Sequence, residues 1–93
     1  MSEIYHLATE WAWETARRAG LYTADSLPSE GFIHCSTAEQ WPRVLAERFA
    51  GRDDLVLLEI DTARLTAELR WEDGFPHVYG PLEVEAVVSA RRL

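Results

Sequence analysis

Ninety-three residues with 9 basic and 16 acidic side chains carry a net charge of −7. That balance argues against non-specific binding to nucleic acid or to an anionic membrane, and no apolar run approaches the roughly 20 residues of a membrane span. A single cysteine excludes an internal disulfide and a four-cysteine zinc site.

The length suits one domain, which buries only about two-thirds of its extended surface. Four Trp, three Tyr and three Phe therefore supply much of the apolar area available to the core. The start "MSEIYHLATE" has no basic segment followed by an apolar run, so no secretory leader is expected. With one cysteine, a reducing, cytoplasmic location is the default expectation.

Ile4 to Leu7 reads as a first strand. Thr9 can cap a helix from Glu10 to Ala19, with Glu10 in the first turn and Arg17 and Arg18 near the last. Ala12, Trp13, Ala16 and Ala19 fall on one face, and Gly20 is a natural stop. "LYTADSLPSEG" reads as a long loop. "FIHCS" reads as the second strand, with Phe32 and His34 on one side and Ile33 and Cys35 on the other.

A second helix is expected from about Ala38 to Ala50, with Trp41, Val44, Leu45 and Phe49 as its buried stripe. Thr37 with Gln40 fits a capping box, and Ser36 with Glu39 fits one shifted by a residue. Pro42 conflicts with an early start and predicts a distorted first turn or a late beginning. "LVLLEI", Leu55 to Ile60, is the strongest strand signal and is expected at the centre of a sheet. "DTARL" reads as one capped helical turn.

Leu69 and Trp71 alternate with Glu68, Arg70 and Glu72 in a half-exposed strand, and Asp73-Gly74 is a hairpin turn. "FPHVYG" follows as an edge segment, because Pro76 has no N–H for a ladder. "VVSARRL" makes the last strand. Strands outnumber helices and the helices come early, which predicts an α+β fold with a mixed or antiparallel sheet and two main helices.

Three histidines, His6, His34 and His77, lie in or beside short strands, at element ends where sites are usually built. Three chemistries stay open. Three imidazoles could hold zinc and leave a position for water, but no His-x-His or His-x-x-x-His pair places two of them on one face. Cys35 could be a nucleophile if a helix starting just after it lowered its pKa, or simply a small core residue. Ser36 and Thr37 could meet an anion at a helix start, or only cap that helix.

Most of the carboxylates Glu72, Asp73, Glu83 and Glu85 are expected to be solvated. Glu72 stands apart because it precedes the turn that leads to His77, although it could simply pair with Arg70 on the same strand face. Tyr79 fits a ligand pocket or the core equally well.

"IYHLAT", "EGFIHCST", "LVLLEID" and "WEDGFPHVYGPL", in this order, resemble the domain-of-unknown-function family 952 of small bacterial proteins. The resemblance covers essentially the whole chain, with Pro42 its least typical residue. It implies an ADP-ribosyltransferase-like fold, a split β-sheet that cradles NAD in a cleft. RNA 2′-phosphotransferases share that fold, and His6 is similar in place to the histidine of their first strand. His34, Cys35 and Ser36 resemble the His-Leu-Ser of their second.

By that resemblance His6 holds ribose hydroxyls, while His34, Ser36 and Thr37 line the nucleotide pocket. His77 and Tyr79 face it, and Glu72 acts as acid, base or ribose ligand. The expected cofactor is NAD, and the expected partner a small nucleotide. The sequence departs from the phosphotransferase pattern where Leu7 replaces a glycine and Thr9 comes one residue late. No glutamate matches the catalytic one of the classical transferases.

Overall fold

A computed structural model describes residues 3–93 of the chain. The first strand, β1 (Glu3–Thr9), runs into helix α1 (Glu10–Ala19) without a loop. Thr9 is still extended, with φ −75° and ψ 153°, and its hydroxyl accepts the Ala12 N–H. Gly20 closes the helix in the left-handed region at φ 87° and donates its N–H to the Ala16 carbonyl. Trp13 and Ala16 are buried and Ala12 packs against the core, whereas Ala19 is exposed, because the stripe turns away at the last residue. Thr9→Ala is expected to lower stability by about 1 kcal/mol in urea unfolding, by loss of that cap.

The segment after α1 is more ordered than its composition suggests. It holds a two-residue strand, β2 (Leu21–Tyr22), and a short helix, α2 (Ser26–Glu30). Pro28 sits in the first turn of α2, where backbone N–H groups have no intrahelical partner, so proline costs little there. Gly31 ends α2 in the left-handed region, and β3 (Ile33–His34) follows.

Helix α3 (Trp41–Arg48) begins late, as Pro42 requires. The Thr37–Gln40 capping box forms in full: Thr37 N–H donates to Gln40 Oε1 at 2.9 Å, and Gln40 N–H to Thr37 Oγ1 at 3.2 Å. The expected buried stripe needs correction. Trp41, Val44, Leu45 and Phe49 are only half-buried, because α3 roofs a hollow rather than the core.

Strand β4 (Leu55–Asp61) is the middle of an antiparallel sheet ordered β1-β4-β8, with β8 spanning Val87–Arg92. Asp61 caps the single 3-10 turn Thr62–Arg64 by accepting the Ala63 N–H. The hairpin strands β5 (Glu68–Glu72) and β6 (Phe75–Tyr79) join through Asp73 at φ 54° and Gly74 at φ 82°. Two successive positive φ values make a type I′ turn, the one that Asp-Gly favours. β7 (Leu82–Glu83) pairs with β2 in a separate two-stranded antiparallel sheet.

β6 is not an edge. It lies between β3 and β5, in the order β3-β6-β5. Pro76 is tolerated because it pairs across β5 with Trp71, and the face it presents to β3 lies at that strand's end. There the Cys35 N–H still donates to the Pro76 carbonyl at 3.1 Å, but Pro76 has no N–H to return. The β3 ladder therefore stops, and the chain crosses to the other sheet. Ser36 exchanges both backbone hydrogen bonds with Tyr5 of β1, each 2.7 Å.

Cys35 is the residue at this crossing. Together with Ile4, Ile33, Leu58, Ile60, Val78 and Leu82 it belongs to the core shared by the sheets and α1. The protein is a small α+β domain with antiparallel sheets. No helix among the described residues is long and apolar enough to cross a membrane.

Candidate functional site

Strand alternation decides what the β3 segment shows. Ile33 and Cys35 point inward and are buried, so His34 between them points outward. The ladder register sets His34 directly opposite His77 of β6. Their ring centres lie 5.5 Å apart with planes at 75°. Phe32, two residues before His34, stacks on His77 with ring centres 4.0 Å apart and 18° between planes. His34 and His77 line a crevice of about 450 Å³, within the usual range for small-molecule sites, and Phe32 packs behind His77 without lining it. Tyr5 and Leu7 of β1 and Val44, Arg48 and Phe49 of the α3 region line it as well.

Each of the two opposed histidines has a carboxylate partner. Glu30, at the end of α2, takes His34 Nε2 at 3.2 Å. Glu72, at the end of β5, accepts the His77 Nδ1–H at 2.7 Å. Tyr79 donates its hydroxyl to the same Glu72 oxygen at 2.5 Å. These two donors, Tyr79 first, hold the Glu72 carboxyl below its ordinary pKa. Arg70 does not pair with Glu72. It binds Glu68, and its guanidinium lies 4.4 Å from the centre of the Tyr79 ring.

His6 lies deeper. Its Nδ1 is 2.6 Å from the His34 carbonyl oxygen, which can only accept, so this nitrogen carries the proton. Its Nε2 then accepts the Tyr22 hydroxyl at 2.8 Å. Burial lowers the His6 pKa to about 4 and fixes the neutral ring. The role that resemblance gives His6, hydrogen bonds to a ribose, needs a free ring nitrogen, and the fold has used both. His6 holds the backbone behind His34 instead.

The other sequence candidates divide. Ser36 lines the crevice but is buried, with its backbone bound to Tyr5. Thr37 does not line it, since its hydroxyl and N–H both serve the capping box. The anion site expected at a helix start is thus not formed by these two residues: α3 starts at Trp41 and the Thr37 N–H is taken. Tyr79 stands behind Glu72 rather than in the crevice. Cys35 is buried, no helix begins just after it, and desolvation pushes its thiol up to about 12. The described residues contain no group of three or more metal-ligating side chains.

Sequence reasoning missed Phe32, Glu30, Tyr22 and Arg48 as parts of the site. Phe32 was legible, since it shares the His34 face. Glu30, four residues before His34, became visible only once α2 turned it back. Tyr22 reaches His6 from a segment that carries no motif of its own.

The protein is similar over nearly all its length to solved structures of a protein from Caulobacter crescentus. The crystal structure of protein CC0527 from Caulobacter crescentus is 34% identical, with a TM-score of 0.90, over 99% of this chain and 86% of that one. The solution NMR structure of CC0527 is 34% identical with a TM-score of 0.85, covering 100% of this chain and 85% of that one. No curated protein matches the chain. A family model described as protein of unknown function (DUF952) matches residues 7–90, and the chain belongs to that family.

Proposed function

We propose that the crevice binds NAD or a related nucleotide through its ribose and ring end, with ADP-ribosyl or phosphate transfer as the attached chemistry. The observation that carries this reading is the convergence of His34, His77 and Glu72 on one apolar-walled crevice. Phe75 and Tyr5 offer flat apolar surfaces to a planar ring. His34 and Ser36 line the sugar position.

Charge favours this orientation. Glu47, Glu72 and Asp73 outnumber Arg48 in the lining, so a cationic ring or a carbon developing positive charge is better accommodated than a triphosphate. Arg48 supplies the one guanidinium of the lining for a phosphate. The family resemblance to the ADP-ribosyltransferase-like fold supports the same ligand class.

The test is thermal unfolding with NAD, ADP-ribose and nicotinamide, followed by nicotinamide release on incubation with NAD. A ligand at 100 times its dissociation constant adds about 2.7 kcal/mol to stability. An upward shift with NAD that is lost in His34→Ala is the expected result. Binding without nicotinamide release makes the protein a ligand-sensing module, and no shift with any of the three removes the NAD reading.

A further inference from the structure

We propose that His34 and His77 work as a general acid and general base on a nucleoside cyclic phosphodiester. This deepens the nucleotide reading of the same crevice and rests on it. The two imidazoles are directly opposed across one ladder and stand at nearly right angles. Each is tethered by a carboxylate through a different nitrogen, His34 by Nε2 and His77 by Nδ1. The nitrogens left over are His34 Nδ1 and His77 Nε2. Two oriented imidazoles, one neutral and one protonated, are what a displacement at phosphorus needs when one oxygen must lose a proton as another gains one.

The step balances with water as the only co-reactant. Water attacks phosphorus opposite the P–O2′ bond, and its proton passes to the neutral imidazole. The P–O2′ bond breaks and its electron pair stays on O2′, which takes the proton of the other imidazolium. The products are a nucleoside 3′-monophosphate and a histidine pair with exchanged protonation.

Charge selects a diester. A monoester dianion would meet Glu47, Glu72 and Asp73 with Arg48 as the only guanidinium in the lining. The single charge of a diester can pair with the Arg48 guanidinium and faces less repulsion from those carboxylates. Phe75 and Tyr5 give the base an apolar platform.

Ring opening of 2′,3′-cyclic AMP and 2′,3′-cyclic UMP by the full chain, followed by phosphorus NMR, tests the pair. The expected result is conversion to the monophosphate, slowed about 10²–10⁴-fold in both His34→Asn and His77→Asn. Thermal midpoints of both variants check folding, and the exposed His34 alone suffices if His77→Asn unfolds. No ring opening above the buffer rate, or rates unchanged in the variants, overturns the proposal. NAD-induced thermal shifts are read separately: shifts without ring opening leave nucleotide binding standing, and ring opening without them removes the NAD reading alone.

Discussion

Between pH 6.5 and about 4 the protein is expected to lose on the order of 3 kcal/mol of stability through His6 alone. The ring is buried and neutral, and its pKa in the folded chain is about 4 against an ordinary 6.5. The unfolded chain therefore takes up the proton first. Wherever the unfolded state binds more protons, stability rises with pH, so the contribution is complete above 6.5 and falls on acidification by about 1.4 kcal/mol per pH step until about pH 4.

The cause is geometric as well as dielectric. A protonated His6 would turn its Nε2–H toward the Tyr22 hydroxyl, which now donates to it, and would place a charge beside Ile4 and Leu58 in the core. The acidic groups with lowered pKa, such as Glu72, act in a lower window, beginning below their ordinary 4.5. Urea midpoints at pH 7, 6 and 5 thus stay clear of the carboxylates, and the difference between the parent and a His6 variant isolates His6 from His34 and His77. His6→Gln should flatten this slope whatever its own absolute stability. Imidazole nitrogen shifts in the parent protein should show a neutral Nδ1–H ring at pH 5. A charged His6 at pH 5, or an equal slope in His6→Gln, would refute the assignment.

Helix α1, the hairpin turn and the central strand could be read from the sequence because their signals are local. Thr9, Glu10 and Gly20 mark both ends of α1 within one helix length. Asp73-Gly74 demands the turn it forms, and the apolar run of β4 can only be central. What escaped depends on which side of a residue its partner lies. Pro76 looked like an edge marker, yet its missing N–H matters only toward β3, at the point where that strand ends. Pro28 looked like a loop marker, yet in a first turn it costs almost nothing.

The site divides along the same line. His34 and Phe32 were placed together by strand alternation, a local rule. The pairing of His34 with His77 needs the register of two strands more than 40 residues apart, and nothing near either residue encodes it. His6 was found as a residue of interest but its role was not, because the deciding partner, Tyr22, is 16 residues away in a segment without pattern.

Ile33→Ala should cost about 2–5 kcal/mol, the range for emptying a buried large aliphatic position, while His34→Ala beside it should stay within about 0.5 kcal/mol of the parent. Ile33 has 0% of its surface exposed and packs in the core with Val78, which it faces across the ladder. His34 is 55% exposed as a side chain and contributes a weak, solvated pair with Glu30, so its removal leaves no cavity. The contrast matters for function because one rigid wall orients both. Ile33 inside and His34 outside are alternate sides of the same short strand, and loosening the first frees the second. Urea unfolding of both variants measures the difference, and ligand-induced stabilisation measured at equal fractions folded separates their effects. Ile33→Ala should retain weakened binding, whereas His34→Ala should keep the parent's stability and lose the ligand response. Equal stability losses in the two variants would mean that β3 does not divide core from crevice between these neighbours.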